Sequence, residues 1–129
     1  MLRDIDATAP IAVKDLGVAT DFYEGTLGLQ PVRPAQDGMV LYRSGSSSIM
    51  LYESEYAGTN KANALAWSVG EEFDAIMEGL RARGVTFEHY ELPGLTLEGD
   101  IHVAENFKAV WFKDPDGNIL HINQSTASA

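Results

Sequence analysis

TAPIAVKDLGVATDFYEGTLG, residues 8–28, is matched 56 positions later by ALAWSVGEEFDAIMEGLRARG, residues 64–84. An internal repeat of this kind sets the architecture before any single residue is weighed. Each copy opens with a strand-like run, 9–13 (APIAV) and 65–69 (LAWSV). A polar or acidic step follows, Lys14-Asp15 and Gly70-Glu71-Glu72, where carboxylates suit the positive end of a helix. In the second copy Phe73, Ile76, Met77 and Leu80 recur at i, i+3, i+4 and i+7, which places them on one helical face. In the first, a helix over 16–27 carries Leu16, Ala19, Phe22, Tyr23 and Leu27 on its stripe, and Gly28 and Gly84 end the two helices at equivalent points. These aromatic and aliphatic side chains read first as core.

Outward from the helices the pattern changes to short β-like runs: 30–33, 39–43 and 49–53 in the first half, 85–92, 109–113 and 119–123 in the second. Each half therefore reads β-α-β-β-β, with the polar loop 56–61 as the seam. The expected class is α+β, one domain over residues 1–125, with a first module of about 1–58 and a second of about 62–125. The small polar residues 126–129 are expected to fray. One such module covers a single face of its strands with its helix and leaves the other bare. Two side by side are expected to make a curved mixed sheet with the helices outside, whose concave face suits a ligand.

Composition narrows the partners. With 129 residues, 45% of them hydrophobic, the chain can build one core. Nine basic against 19 acidic side chains give a net charge of −10, spread over both halves. That balance argues against nucleic acid and anionic membrane, which need a positive footprint. No apolar run reaches the roughly 18 residues of a membrane span. Residues 1–10 lack the basic flank and apolar stretch of a secretory signal, so a cytoplasmic protein is expected. Without cysteine there is no disulfide frame, thiolate nucleophile or thiolate metal site. Phosphate-cradling glycine loops, H-E-x-x-H and G-x-S-x-G are absent too. The serine-rich stretch 44–48 reads as a hairpin turn, and Asp114 and Asp116 read as turn formers with too few oxygens for calcium.

VKDLGVATDFYEGTLGL (13–29) and FKDPDGNILHI (112–122) resemble the vicinal oxygen chelate superfamily of glyoxalases, bleomycin-resistance proteins, fosfomycin-resistance enzymes and extradiol dioxygenases. The resemblance implies the glyoxalase/bleomycin resistance/dioxygenase fold of paired βαβββ modules. It also implies a divalent metal on the floor of the concave sheet, held by His, Glu or Gln at four strand positions and polarising an oxygen-bearing substrate. Carried over residue by residue, those positions are Thr8, Met50, Ala64 and His121. Only His121 is a good ligand. A two-residue slip, which keeps a side chain on its face, offers Asp6, Ser48 or Tyr52, Ala62 or Ala66, and Ile119 or Asn123. No choice supplies three imidazole or carboxylate groups, so no cofactor is expected, with a divalent metal as the alternative.

The hairpin closed by residues 114–118 predicts the floor instead. Pairing Lys113 with Ile119 sets Trp111 opposite His121 on one face, beside Ala109, Phe107 and Asn123. The same alternation turns Met50 and Tyr52, and Thr8, Pro10, Ala12, Ala64, Ala66 and Ser68, toward the cup. This apolar, aromatic lining suits a small organic molecule, and the excess acid would favour a cationic one. His121 reads as a hydrogen-bond partner or a packed residue. The alternative is a lyase, isomerase or dioxygenase of the superfamily with unconventional metal ligation or with His121 as general base. His102 is expected on a loop and His89 on an edge strand, both solvated. Fifteen extra residues in the second half fall around 92–106 and are expected to form a lid or part of a dimer interface. A homodimer is expected by resemblance.

Overall fold

The computed structural model describes residues 1–125; the tail expected to fray, 126–129, lies outside the described residues. The chain divides into two compact units, Met1–Asn60 with Pro115–Asn118, and Lys61–Asp114 with the chain from Ile119 onward. Each builds its own sheet.

The first unit runs β1 (Thr8–Val13), α1 (Leu16–Thr20), β2 (Gln30–Pro31), β3 (Met39–Ser44) and β4 (Ser47–Glu53). Its strand order is β1-β4-β3-β2, with β1 parallel to β4 and the other pairs antiparallel. The Asp15 carboxylate caps α1 by accepting the Val18 N–H. The single α-helix expected to Leu27 is not what forms, because Asp21–Thr26 widens into a π-helical turn. There the Leu27 N–H reaches back to the Phe22 carbonyl. The wider turn seats Tyr23 parallel to Tyr42 with Phe22 edge-on to it, and the Tyr42 hydroxyl donates to Glu24 at 2.8 Å. Burial and the adjacent carboxylate push the Tyr42 phenol far above its ordinary range. Ile11, Val13, Val40, Tyr42, Ile49 and Leu51 form the buried side of this sheet. The turn Pro115–Asn118 is tied to β1: Asp116 accepts the Lys14 N–H at 3.1 Å and the Asn118 amide donates to the Ala12 carbonyl at 2.9 Å.

The second unit runs β5 (Asn63–Ser68), α2 (Phe73–Ala82), β6 (Phe87–Glu88), β7 (Thr96–Glu98), β8 (Ile101–Ala104), β9 (Phe107–Lys113) and β10 (Ile119–Ser125). Its order is β5-β10-β9-β8-β7, with β6 also paired to β9. The stripe on α2 buries Phe73, Met77 and Leu80. Gly84, at φ 89°, then lets the Val85 N–H return to the Leu80 carbonyl, closing the helix where the repeat predicted.

The extra residues of the second half do not form a loose loop. They contribute the β7–β8 hairpin, whose inner strand pairs His102 with Ala109 and Val103 with Lys108. The expected strand over 85–92 shrinks to Phe87–Glu88, paired with Phe112 and Trp111, because the hairpin occupies the remaining edge of β9. Among the described residues no helix is long and apolar enough to cross a membrane.

Candidate functional site

Strand alternation divides the second sheet cleanly. Val110, Phe112, Leu120 and Ile122 are buried on one face, where Phe87 meets Phe112 edge-on. The opposite face carries the cross-strand pairs Trp111–His121 and Ala109–Asn123, as the length of the 114–118 turn predicts. Ala66 and Ser68 of β5 join them as partners of His121 and Asn123, and His102 of β8 joins through Ala109. Ala66 and Ser68 are exposed, so the β5 side of His121 is bounded by small side chains in contact with solvent. The β10–β5 register slips between Ile119 and Leu120, which leaves Ala64 without a direct partner and half-buried.

Trp111 is the centre of this face and is 9% exposed. The His121 ring stacks on it at 4.4 Å, the His102 ring meets it edge-on at 4.8 Å, and Tyr90 does so at 5.7 Å. Its indole N–H donates to the Asn63 side-chain oxygen at 3.1 Å, a reach that the neighbouring slip in register brings within range. Both imidazoles are buried, His102 at 1% and His121 at 7% exposure.

Their hydrogen bonds assign the tautomers. The Tyr90 backbone N–H donates to His102 Nε2 at 2.9 Å, so that nitrogen is the lone-pair one and Nδ1 carries the proton. The Ser68 hydroxyl donates to Asn123 Oδ1 at 2.9 Å, which orients the Asn123 amide to donate to His121 Nε2 at 3.0 Å. His121 is thereby also an Nδ1–H tautomer. Nδ1 of both rings is buried without a hydrogen-bond partner. Burial pushes the His121 pKa below the ordinary imidazole value. The Val110 backbone offsets part of that, though it does not reach hydrogen-bond geometry to Nδ1, and His102 adds to the drop. The face thus presents two neutral imidazoles, each with an unmatched N–H, around one indole. A buried donor left unpaired is costly, and a ligand oxygen or a water would relieve it.

The other expected site residues fall as follows. Asn123 works through His121. Phe107, half-buried, pairs with Ala104 and Ser125 at the far end of β9. Thr8, Met50 and Tyr52 belong to the first unit, where the register Thr8–Ser48, Pro10–Met50 and Ala12–Tyr52 puts them on the face opposite the buried Ile49 and Leu51. Thr8 is exposed there; Met50 and Tyr52 are half-buried. His102 corrects the expectation of a solvated loop residue: it sits on β8 and is almost fully enclosed, because the inserted segment pairs along β9. His89 lies just beyond β6 and is exposed, 2.8 Å from Asp100. Asn63 and Tyr90 were not singled out by the sequence. Their roles depend on the slip in β5 and on how the inserted segment folds, and neither leaves a mark in spacing or periodicity.

The metal implied by the resemblance fails the test of donor chemistry. Thr8, Met50 and Ala64 offer one hydroxyl, one thioether and nothing. Among the described residues no group of three or more His, Cys, Asp or Glu is arranged to hold an ion.

The sequence matches, over residues 4–122, the profile of the Glyoxalase/Bleomycin resistance protein/Dioxygenase superfamily. Solved structures of similar fold include a glyoxalase/bleomycin resistance protein/dioxygenase from Alicyclobacillus acidocaldarius, with TM-score 0.71 and 18% identity, covering 95% of this chain and 92% of that one. The fosfomycin resistance protein FosX from Mesorhizobium loti has TM-score 0.68 and 15% identity, with 98% and 96% covered. An integron cassette protein from the mobile metagenome of V. cholerae has TM-score 0.65 and 23% identity, with 96% and 97% covered. At these identities the likeness is one of fold. Among curated proteins the sequence has no significant match.

Proposed function

The chain belongs to the Glyoxalase/Bleomycin resistance protein/Dioxygenase superfamily, and from that premise we propose that it binds a small organic molecule on the Trp111 face of the second sheet, without a metal ion. The observation that carries the reading is the pair of buried imidazoles on Trp111, each with an unpartnered Nδ1. Two unmatched N–H donors in an aromatic cluster favour a small ligand that brings a hydrogen-bond acceptor and displaces a neighbouring side chain to reach them. The exposed Ala66 and Ser68 support an approach from the β5 side.

An enzyme with His121 as general base is less well supported. His121 is neutral near pH 7, as a base must be, but its lone pair is already engaged by the Asn123 amide, and Nδ1 carries the proton. The homodimer, which rests on resemblance to the family, and the cytoplasmic location, which rests on the sequence reading, belong to the same proposal.

The test starts from a Trp67→Phe background, which leaves Trp111 as the only indole. Thermal-shift hits from a library of planar carbonyl compounds should change its fluorescence saturably. Trp111→Ala should cost about 2 kcal/mol of binding, as aromatic anchors do, and Trp111→Phe should recover part of it. Elemental analysis after exposure to Mn, Fe, Co, Ni and Zn ions accompanies the titration. One stoichiometric ion, lost in His121→Ala, would overturn the metal-free reading.

A further inference from the structure

Residues 92–106 have no counterpart in the first half of the chain. Part of the insertion pairs as a hairpin. Its first residues and strand β7, with the residues just before the insertion, wall a cleft of about 560 Å³ lined by His89, Tyr90, Glu91, Leu92, Pro93, Leu95 and Leu97. That volume lies within the range of sites for small organic ligands. An inserted segment usually hides its leucines in the core. Here Leu92 is 37% and Leu97 42% exposed, so their apolar surface is left facing the cleft.

The cleft is also held open from behind. The Tyr90 N–H is fixed on His102 Nε2, and its ring rests edge-on against Trp111. At the other end His89 and Arg81 both bind Asp100, in the turn between β7 and β8. The Arg81 guanidinium answers the Asp100 carboxylate, with His89 hydrogen-bonded to it as well, whereas Glu91 enters no ion pair among the described residues. The lining therefore has one uncompensated carboxylate, one aromatic ring and a leucine wall, in a protein of net charge −10.

We propose that this cleft is a binding site for an organic cation with an apolar body, adjoining the Trp111 face through Tyr90 but argued independently of the reading given for that face. The cation is drawn by the field of the acidic protein and by Glu91 and can rest on the Tyr90 ring, while its apolar part covers Leu92, Leu95 and Leu97.

Benzyltrimethylammonium is a suitable probe, with benzyl alcohol as its neutral and benzoate as its anionic counterpart. Titrated into the full chain and followed by amide and leucine-methyl NMR, the cation should give saturable shifts at residues 89–97. Benzoate should give none there, and benzyl alcohol should bind more weakly. Glu91→Gln should weaken the cation about threefold, the scale of an exposed ion pair, and added salt should do the same. Leu97→Ser, at an exposed position that leaves the core alone, should weaken all binding. The proposal fails if residues 89–97 do not shift at millimolar probe, if benzoate binds as well, or if Glu91→Gln has no effect. Shifts confined to Ala66, Ala109, His121 and Asn123 would also overturn it while leaving the Trp111 face as a site. If these resonances instead move with protein concentration alone, the cleft is occupied by a second copy of the chain and the proposal falls.

Discussion

His121 ties the chemistry of the second sheet to pH. Its folded pKa lies below the 6.5 of a free imidazole, so the unfolded chain takes up the proton more readily than the folded one. The stability gained by keeping it neutral is complete above that value and is lost as the pH falls through 6.5 toward the lower folded pKa. Urea unfolding at pH 7.5 and pH 5.0 should show this loss, and His121→Gln should flatten it; an NMR midpoint for the ring at or above 6.5 would refute the account. Gly58 makes a second prediction at this scale. It sits at φ 75°, and a Cβ there would lie 2.0 Å from the Asp116 carbonyl oxygen. Gly58→Ala should therefore cost about 2 kcal/mol or more, measurable as a lower urea midpoint, since both the backbone conformation and the close approach forbid a side chain. The Trp111–His121 pair was legible in the sequence, because a five-residue turn fixes the register of its hairpin. His102 was not, because its partner on β9 lies across a segment whose pairing cannot be counted from a turn.

Among the elements, α2 followed its hydrophobic stripe, with Phe73, Met77 and Leu80 buried as spaced and Ile76 half-buried at its margin. The first helix did not. Periodicity describes which residues face the sheet, not how many backbone atoms close each turn, so the π-helical widening beneath Tyr23 and Tyr42 was invisible. The β7–β8 hairpin was half legible: the unequal spacing of the two halves marked an inserted segment, but strand pairing along β9 follows from the vacant edge beyond β6, which only tertiary structure reveals. Asp100 fastens this hairpin to α2 and to the cleft wall through Arg81 and His89, and those two donors hold its carboxyl below the usual carboxylate range. Asp100→Asn should speed amide exchange in β7 and β8 severalfold while leaving β10, at the centre of the sheet, protected. Equal acceleration in both would mean that the hairpin opens only with the whole unit.

At the scale of the whole molecule, the repeat and the two motifs were enough to reach the family, because both survive in one dimension. The Trp111 face was only partly within reach, since it joins residues as far apart in the chain as Ala66 and His121 and depends on a slip in register. Sedimentation equilibrium should find a homodimer at micromolar concentration; a monomer throughout would remove that part of the proposal. The way the second sheet ends has a consequence of another kind. Its last strand, β7, is three residues long, wholly exposed and closed by Glu98. A long bare edge invites strands from other chains to continue the sheet and so seeds fibrils. This one offers a stub with a carboxylate on it, so the hairpin that adds an extension to the fold also leaves other chains little to pair with along that edge.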